Sequence, residues 1–415
     1  MSARSALRAK LGCDAPTYIV QGTDPSAIGC LVGEGQRWTQ TQIEVHQVYL
    51  GRPRLFTLRA NSAKTAIFFH FGYVDIAIAV RNILADAVVN GASSTSIVQQ
   101  AQQLCHRVLA DEALVDGNVE NSINLFCLSK TELPLLAYRP GLFLDLNSHL
   151  MEEEALCPWM FGLAHEFGHS VGGGFKRELN ASLPAIARLI GQTVASRLCG
   201  NSESGRQRAA GLLADADFHE IAEEHIADIC SAMITWNACG NVMLARVGRP
   251  PHPHKFAIEI LLALNVLLLC VYLRPWHAEQ DLESFGIGLR QLLLLFTLSG
   301  KGPLHDVLKK NGQSLPFIVT PAVEAVAERL RDAVLQFAGG ISMAQDTAAS
   351  LAKEATATEL INRFLKWRNR LQTIKERHTV DRDAYLFIRT AEQLGRSSPD
   401  LEKINQVVRA DQKSV

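Results

Sequence analysis

Residues 256–273, FAIEILLALNVLLLCVYL, constrain the fold more than any other stretch of the chain. An apolar run of this length has no face to offer water, so it must be buried on all sides, inside a protein or inside a bilayer. A bilayer span takes about 20 apolar residues, and this run falls slightly short. It also carries Glu259 and Asn265, and a charge within lipid is costly. The next apolar run, Leu292 to Leu298, is too short to return. The expectation is a buried core helix in a soluble protein, with an integral-membrane chain as the alternative.

A core helix needs a large domain around it. With 415 residues, 47% of them hydrophobic and 20% charged, the chain has the composition of an ordinary globular protein and room for two or three domains. The formal net charge is −1, so the basic excess that marks nucleic-acid or membrane-surface binding is missing, and neither partner is expected. The opening residues, MSARSALRAKLGCDAPTYIV, hold no apolar signal-peptide core, which predicts a cytoplasmic protein. Nine scattered cysteines form no CxxC pair and read as reduced, small hydrophobic residues.

Pattern and turn signals divide the chain into a mixed, β-rich region (1–60), a central core (61–300) and a helical C-terminal region (301–415). Gly33-Glu34-Gly35 reads as a turn, and Ile43–Val48 and Thr65–Phe71 as strands. Val74–Val89 and Thr95–Leu114 read as helices. The short apolar runs Asn124–Leu128 and Leu142–Leu146 read as strands around Pro134 and Pro140. A helix follows with Pro158 in its first turn and Gly172-Gly173-Gly174 at its end. Leu183–Leu198 and about 206–237 are helical, with Ser202–Gly205 a loop between them. Beyond the break at Gly300-Lys301-Gly302-Pro303, helices are expected over 321–337, 347–378 and 381–394. Arg363, Lys366, Arg368, Arg370, Lys375 and Arg377 make the middle one basic, which reads as a solvated face or a contact with acidic residues. These C-terminal helices are a candidate surface for a regulatory protein partner.

The chemistry is concentrated in His165-Glu166-Phe167-Gly168-His169. Two histidines four apart on a helix share a face and can share one Zn²⁺. Glu166 then stands where a carboxylate can take a proton from water activated by the metal. A catalytic zinc keeps three protein ligands and an open fourth position. The segment Asp217–Asp228 offers the third, with Glu224 and Asp228 four apart on one helical face. Glu224 suits the metal, and Asp228 suits the Nδ1–H of a ligand histidine. Glu220, Glu223, His219 and His225 compete within the same segment.

HEFGH followed by Glu224-x-x-Ala227-Asp228 resembles the gluzincin metallopeptidases, whose pattern is HExxH and then ExxxD on a second helix. The nearest likeness is to bacterial phage-exclusion-type peptidases, in which a His-Pro element like His252-Pro253 often follows the helix pair. The resemblance spans about residues 140–255. It implies an α+β, mainly α fold, with a zincin-like core whose HExxH helix packs beside a small sheet, and a helical C-terminal region. It also implies His165, His169 and Glu224 as zinc ligands, Glu166 as general base and Asp228 as the anchor of a ligand histidine. The substrate would be a protein or peptide, and the chain a bacterial defence or toxin-like effector. The interval from His169 to Glu224 exceeds that of compact gluzincins, so the Leu183–Leu198 helix must fold away from the site. For the oxyanion donor, His252, His254, Tyr272 and His277 are candidates and none stands out. A non-catalytic zinc sensor or scaffold, with His219 or His225 as fourth ligand, is the rival from another class.

Overall fold

The computed structural model describes residues 17–20, 26–39, 42–48, 55–61, 64–129, 153–171, 174–272, 280–300, 303–310, 319–351 and 356–412. The fold is mainly α. Strands β1 (Thr17–Val20), β2 (Gln42–Val48), β3 (Leu55–Asn61) and β4 (Lys64–His70) pair in the order β1-β2-β4-β3, with β2 and β4 parallel and the other pairs antiparallel. Helix α1 (Ala27–Thr39) lies between β1 and β2 in the chain.

The remaining helices run in chain order. First come α2 (Phe71–Ala85), extended by one π turn over Asp86–Asn90, then α3 (Ser94–Val115) and α4 (Val119–Leu128). The HEFGH segment closes α5 (Glu153–Gly168), and α6 (Gly174–Cys199), α7 (Glu203–Asp215) and α8 (Phe218–Val247) follow. Next are α9 (Pro253–Tyr272), α10 (Gln280–Leu298), α11 (Pro303–Lys310) and α12 (Pro321–Leu351). The C-terminal set is α13 (Ala357–Arg368), α14 (Ile374–Gln393) and α15 (Pro399–Gln412).

Helix α9 contains the apolar run, and its stretch Pro253–Cys270 is long and apolar enough to cross a membrane. Here it is 72% buried inside the protein, because α2, α5, α8, α10 and α12 all pack on it. Glu259 and Asn265, the two polar residues within the apolar run, are matched by partners on other helices. Glu259 receives both sides of the Arg81 guanidinium, from Nε at 2.9 Å and from Nη2. Asn265 donates to the Leu261 carbonyl at 2.7 Å and accepts from the Gln291 amide. Burial pushes the Glu259 carboxyl up, and Arg81 draws it back only in part. A buried polar group needs such a partner, and each has one.

The main apolar cluster draws on α1 to α3, α5, α8, α9 and α12. A second cluster joins the end of α3 and α4 to α13, α14 and α15, where the Phe126 ring stacks on Phe387 at 4.4 Å. A third joins α6 and α7 to Phe218 of α8 and to Phe285, Leu289 and Leu293 of α10.

Several local expectations are corrected. Asn124–Leu128 is the end of helix α4, started by the Asn118 side chain accepting from Asn121 N at 3.2 Å, and not a strand. Gly33-Glu34-Gly35 lies within α1 rather than at a turn. Gly35 is needed there because the Phe167 ring of α5 presses on it, and a Cβ would meet Phe167 Cδ2 at 2.3 Å. The α5 helix starts at Glu153, so Pro158 falls beyond its first turn, and the regular helix ends at Gly168. The Ser202–Gly205 loop is shorter than expected, since Ser202 caps a helix that starts at Glu203. The single helix over 206–237 is two, because Asp217 accepts from His219 N and Glu220 N at 2.9 and 3.1 Å and starts α8 afresh. The expected 347–378 helix is split among α12, α13 and α14. Leu142–Leu146 lies outside the described residues.

Candidate metal centre

Helices α5 and α8 pack along each other, and one small residue sets how closely. A Cβ on Gly168 would meet Ala227 Cα and the Ala227 carbonyl oxygen, both at 2.7 Å. Only glycine lets the two backbones approach this far. The close approach brings Glu224 and Asp228 of α8 against His165 and His169, which are 59 residues or fewer from Glu224 along the chain.

Three donor atoms meet there. His165 Nε2 lies 3.1 Å from His169 Nε2 and 3.1 Å from Glu224 Oε2, and His169 Nε2 lies 3.4 Å from Glu224 Oε1. Ligands about 2.0–2.1 Å from a tetrahedral zinc sit about 3.3 Å from one another. His165, His169 and Glu224 are the group among the described residues that could hold a metal ion, one ligand atom from each lying within 4.8 Å of the others. His169 belongs to the turn that follows α5, its N–H still reaching the His165 carbonyl at 3.3 Å. The two imidazole rings stand nearly perpendicular, at 87°.

Behind the donors, Asp228 Oδ1 lies 3.0 Å from His165 Nδ1. That contact leaves His165 Nε2 directed at the shared point. Asp228 is fully buried, and Arg290 of α10 supports it. Arg290 donates from Nε to Oδ2 at 3.0 Å and from Nη2 to Oδ1 at 2.6 Å. Its Nη1 also lies 3.2 Å from Glu224 Oε2, so one guanidinium holds both carboxylates of the ExxxD pair.

The electrostatics follow from this packing. Burial alone would push the His165 imidazole down, but Asp228 and Glu224 raise it to about 9. His169 is lowered by burial and by the neighbouring His165 charge. Burial opposes ionisation of Glu224, yet His165 and Arg290 hold it down at about 2. Asp228 is likewise kept ionised against its burial, first by Arg290 and then by His165. The carboxylates are thus charged, and a divalent cation that displaces the His165 proton would meet two imidazoles and an anionic oxygen.

The other expected residues are dispersed. Glu166 is half-buried beside the donors, and its charge acts on His169. Glu220, Glu223 and His219 are exposed. His225 is buried and turned to Thr297 Oγ1 at 3.0 Å. Its neutral form is favoured by burial, which lowers it to about 4. His252 is exposed at the head of α9, where its N–H donates to Glu153 at 3.0 Å. Glu153 and His165 are twelve positions apart on α5, about 18 Å at 1.5 Å per residue, so the structure does not bring His252 to the donors. His254 shares that corner, its ring 5.6 Å from that of His252. The side chain of Tyr272 and all of His277 lie outside the described residues. Arg290 is the residue that sequence reasoning missed. Its signal was a single arginine in the apolar run GIGLRQLLLLF, together with a buried acid that needed a cation.

No protein-family model matches the chain, and neither a curated protein nor a solved structure matches it. The gluzincin resemblance accordingly rests on the sequence motif residues, and none of these three comparisons identifies the family.

Proposed function

We propose that the chain is a zinc-dependent peptidase of gluzincin type. One observation carries this reading: His165, His169 and Glu224 bring a ligand atom each within 4.8 Å of one another, while Asp228 lies 3.0 Å behind His165. Contact of α5 with β3 and β4 supports this reading, in which the motif helix of a zincin-like core would pack beside a small sheet.

In this reading His165, His169 and Glu224 hold the ion, and Asp228 orients His165. When bound, zinc supplies Lewis acidity next to the scissile carbonyl. Glu166 takes the proton of the attacking water and passes it to the departing amine, so that one water is consumed and a carboxylate and an amine result. Arg290 keeps Glu224 and Asp228 ionised and in place. The substrate is a protein or peptide, and the likeness to phage-exclusion-type peptidases extends the proposal to a cytoplasmic bacterial effector. The burial of α9 within the helical core supports a soluble rather than a membrane-embedded peptidase.

The rival zinc scaffold needs a closed, four-ligand site. Among the described residues the donor group has three members, with His225 turned to Thr297 and His219 exposed, which favours the open, catalytic form. The deciding test pairs zinc analysis with hydrolysis of a broad peptide library by the wild type and Glu166→Gln. About one zinc in both, with hydrolysis lost at least 100-fold in the variant, is expected. Undiminished hydrolysis by Glu166→Gln, or a wild type that takes up no zinc, overturns the reading.

A further inference from the structure

A cavity of about 830 Å³ is walled by α6, α9, α10 and α12, and none of the donor residues lines it. Its lining is more apolar than polar, with Leu261, Ile287, Leu295, Leu330 and Val334 among the apolar residues. Asn265 and Gln291 also line it, both nine-tenths buried or more. Their mutual bond uses the Asn265 carbonyl and one Gln291 N–H. A glutamine amide has two N–H donors and a carbonyl, which leaves Gln291 one donor and its acceptor to meet a guest. The mouth carries Glu324, Glu328 and Asp332 against Arg197 and Arg331, and Arg331 is already tied to Asp332 at 3.2 Å. An anion gains nothing there.

We infer that this cavity binds an uncharged, mainly apolar small molecule with one amide- or lactam-type edge, and that its occupancy is coupled to the metal centre through α10. The volume falls within the range of about 300–1,000 Å³ usual for ligand pockets. Apolar wall residues hold water poorly, while the buried Gln291 amide, itself bonded to Asn265, fixes orientation. The coupling follows from sequence adjacency. Gln291 faces the cavity, and Arg290, the residue before it, holds Asp228 and Glu224. Six residues further on from Gln291, Thr297 meets His225, the neighbour of Glu224. A guest that shifts α10 therefore moves both supports of the donor set.

Only the coupling rests on the metal reading; the cavity does not. The test titrates the full-length protein with Nile red, an uncharged apolar dye with a carbonyl acceptor, and compares it with Ala327→Trp, which fills the cavity from α12, and Gln291→Leu. Melting curves establish that both variants fold. Saturable one-site binding is expected, weakened at least tenfold by Ala327→Trp and about fivefold by Gln291→Leu. Binding that does not saturate, or that is indifferent to either variant, overturns the site. Zinc affinity, from competition with a chelator, should differ about fivefold or more between dye-free and dye-saturated protein, because linkage is reciprocal. An unchanged zinc affinity overturns the coupling. A chain that takes up no zinc defeats the metal reading instead, and the dye titration still decides the cavity.

Discussion

Arg290 grips Asp228 from a third helix, with two nitrogens on two carboxylate oxygens at 3.0 and 2.6 Å. A fork of this kind fixes direction as well as charge. The candidate metal centre therefore draws on three helices. Helix α5 and the turn after it bring the histidines, α8 the acids, and α10 the cation that faces both the buried Asp228 and the half-buried Glu224.

Arg290→Gln should consequently weaken zinc binding without touching a ligand. Losing an outer-shell partner of a metal ligand typically costs about 10–100-fold in affinity. Competition with a chelator measures this directly. An affinity equal to that of the wild type would show that Asp228 needs no support from α10.

Gly168→Ala should act through distance. The added methyl meets the Ala227 backbone, which cannot swing aside as a side chain can. A cost of about 1–3 kcal/mol in denaturant unfolding is expected from such overpacking, together with weaker zinc binding as α8 is pushed from α5. Gly211→Ala is the control, since nothing lies within 4 Å of its added carbon. A matching loss in both variants would mean that the effect is not contact with α8.

The Arg81–Glu259 pair predicts an asymmetric cycle. Arg81→Met strands a carboxylate that is only 3% exposed, and breaking a buried pair from one side costs about 3–5 kcal/mol. Combining it with Glu259→Leu should recover most of that loss. Equal instability of the single and double variants, measured by urea unfolding, would rule out a stranded charge as the cause.

His106 predicts a pH dependence. Burial lowers its imidazole to about 4, with a small opposing contribution from the Ala344 backbone. The unfolded chain, titrating near 6.5, binds more protons between those two values, so stability rises with pH across that window and is lost on acidification from about pH 6.5 towards pH 4. The full shift corresponds to roughly 3 kcal/mol. His106→Gln should flatten this part of the stability profile, and an unchanged slope would assign it to other groups.

The chemistry-bearing residues were legible because their spacing is local. His165, Glu166 and His169 sit within one helical turn, and Glu224 and Asp228 within another. Helix α9 was legible from its unbroken apolar run. Arg290 was not, since its role depends on an approach across 62 residues of chain that no periodicity reports. Asn124–Leu128 misled because a short apolar run fits either a strand or a buried helix end. The division at Asp217 was present as a capping residue inside a seemingly continuous helical pattern. The likeness of 33–35 to a turn failed because Gly35 answers to a ring from α5, not to its own backbone.

That last contact has a bearing on the motif itself. HExxH leaves two positions open, here Phe167 and Gly168. The Phe167 ring seats against α1 and Gly168 against α8, so the two unspecified letters act as keys on opposite sides of one shaft. Together they set its rotational phase, and a change at either would turn both histidines off their common aim without altering a single ligand.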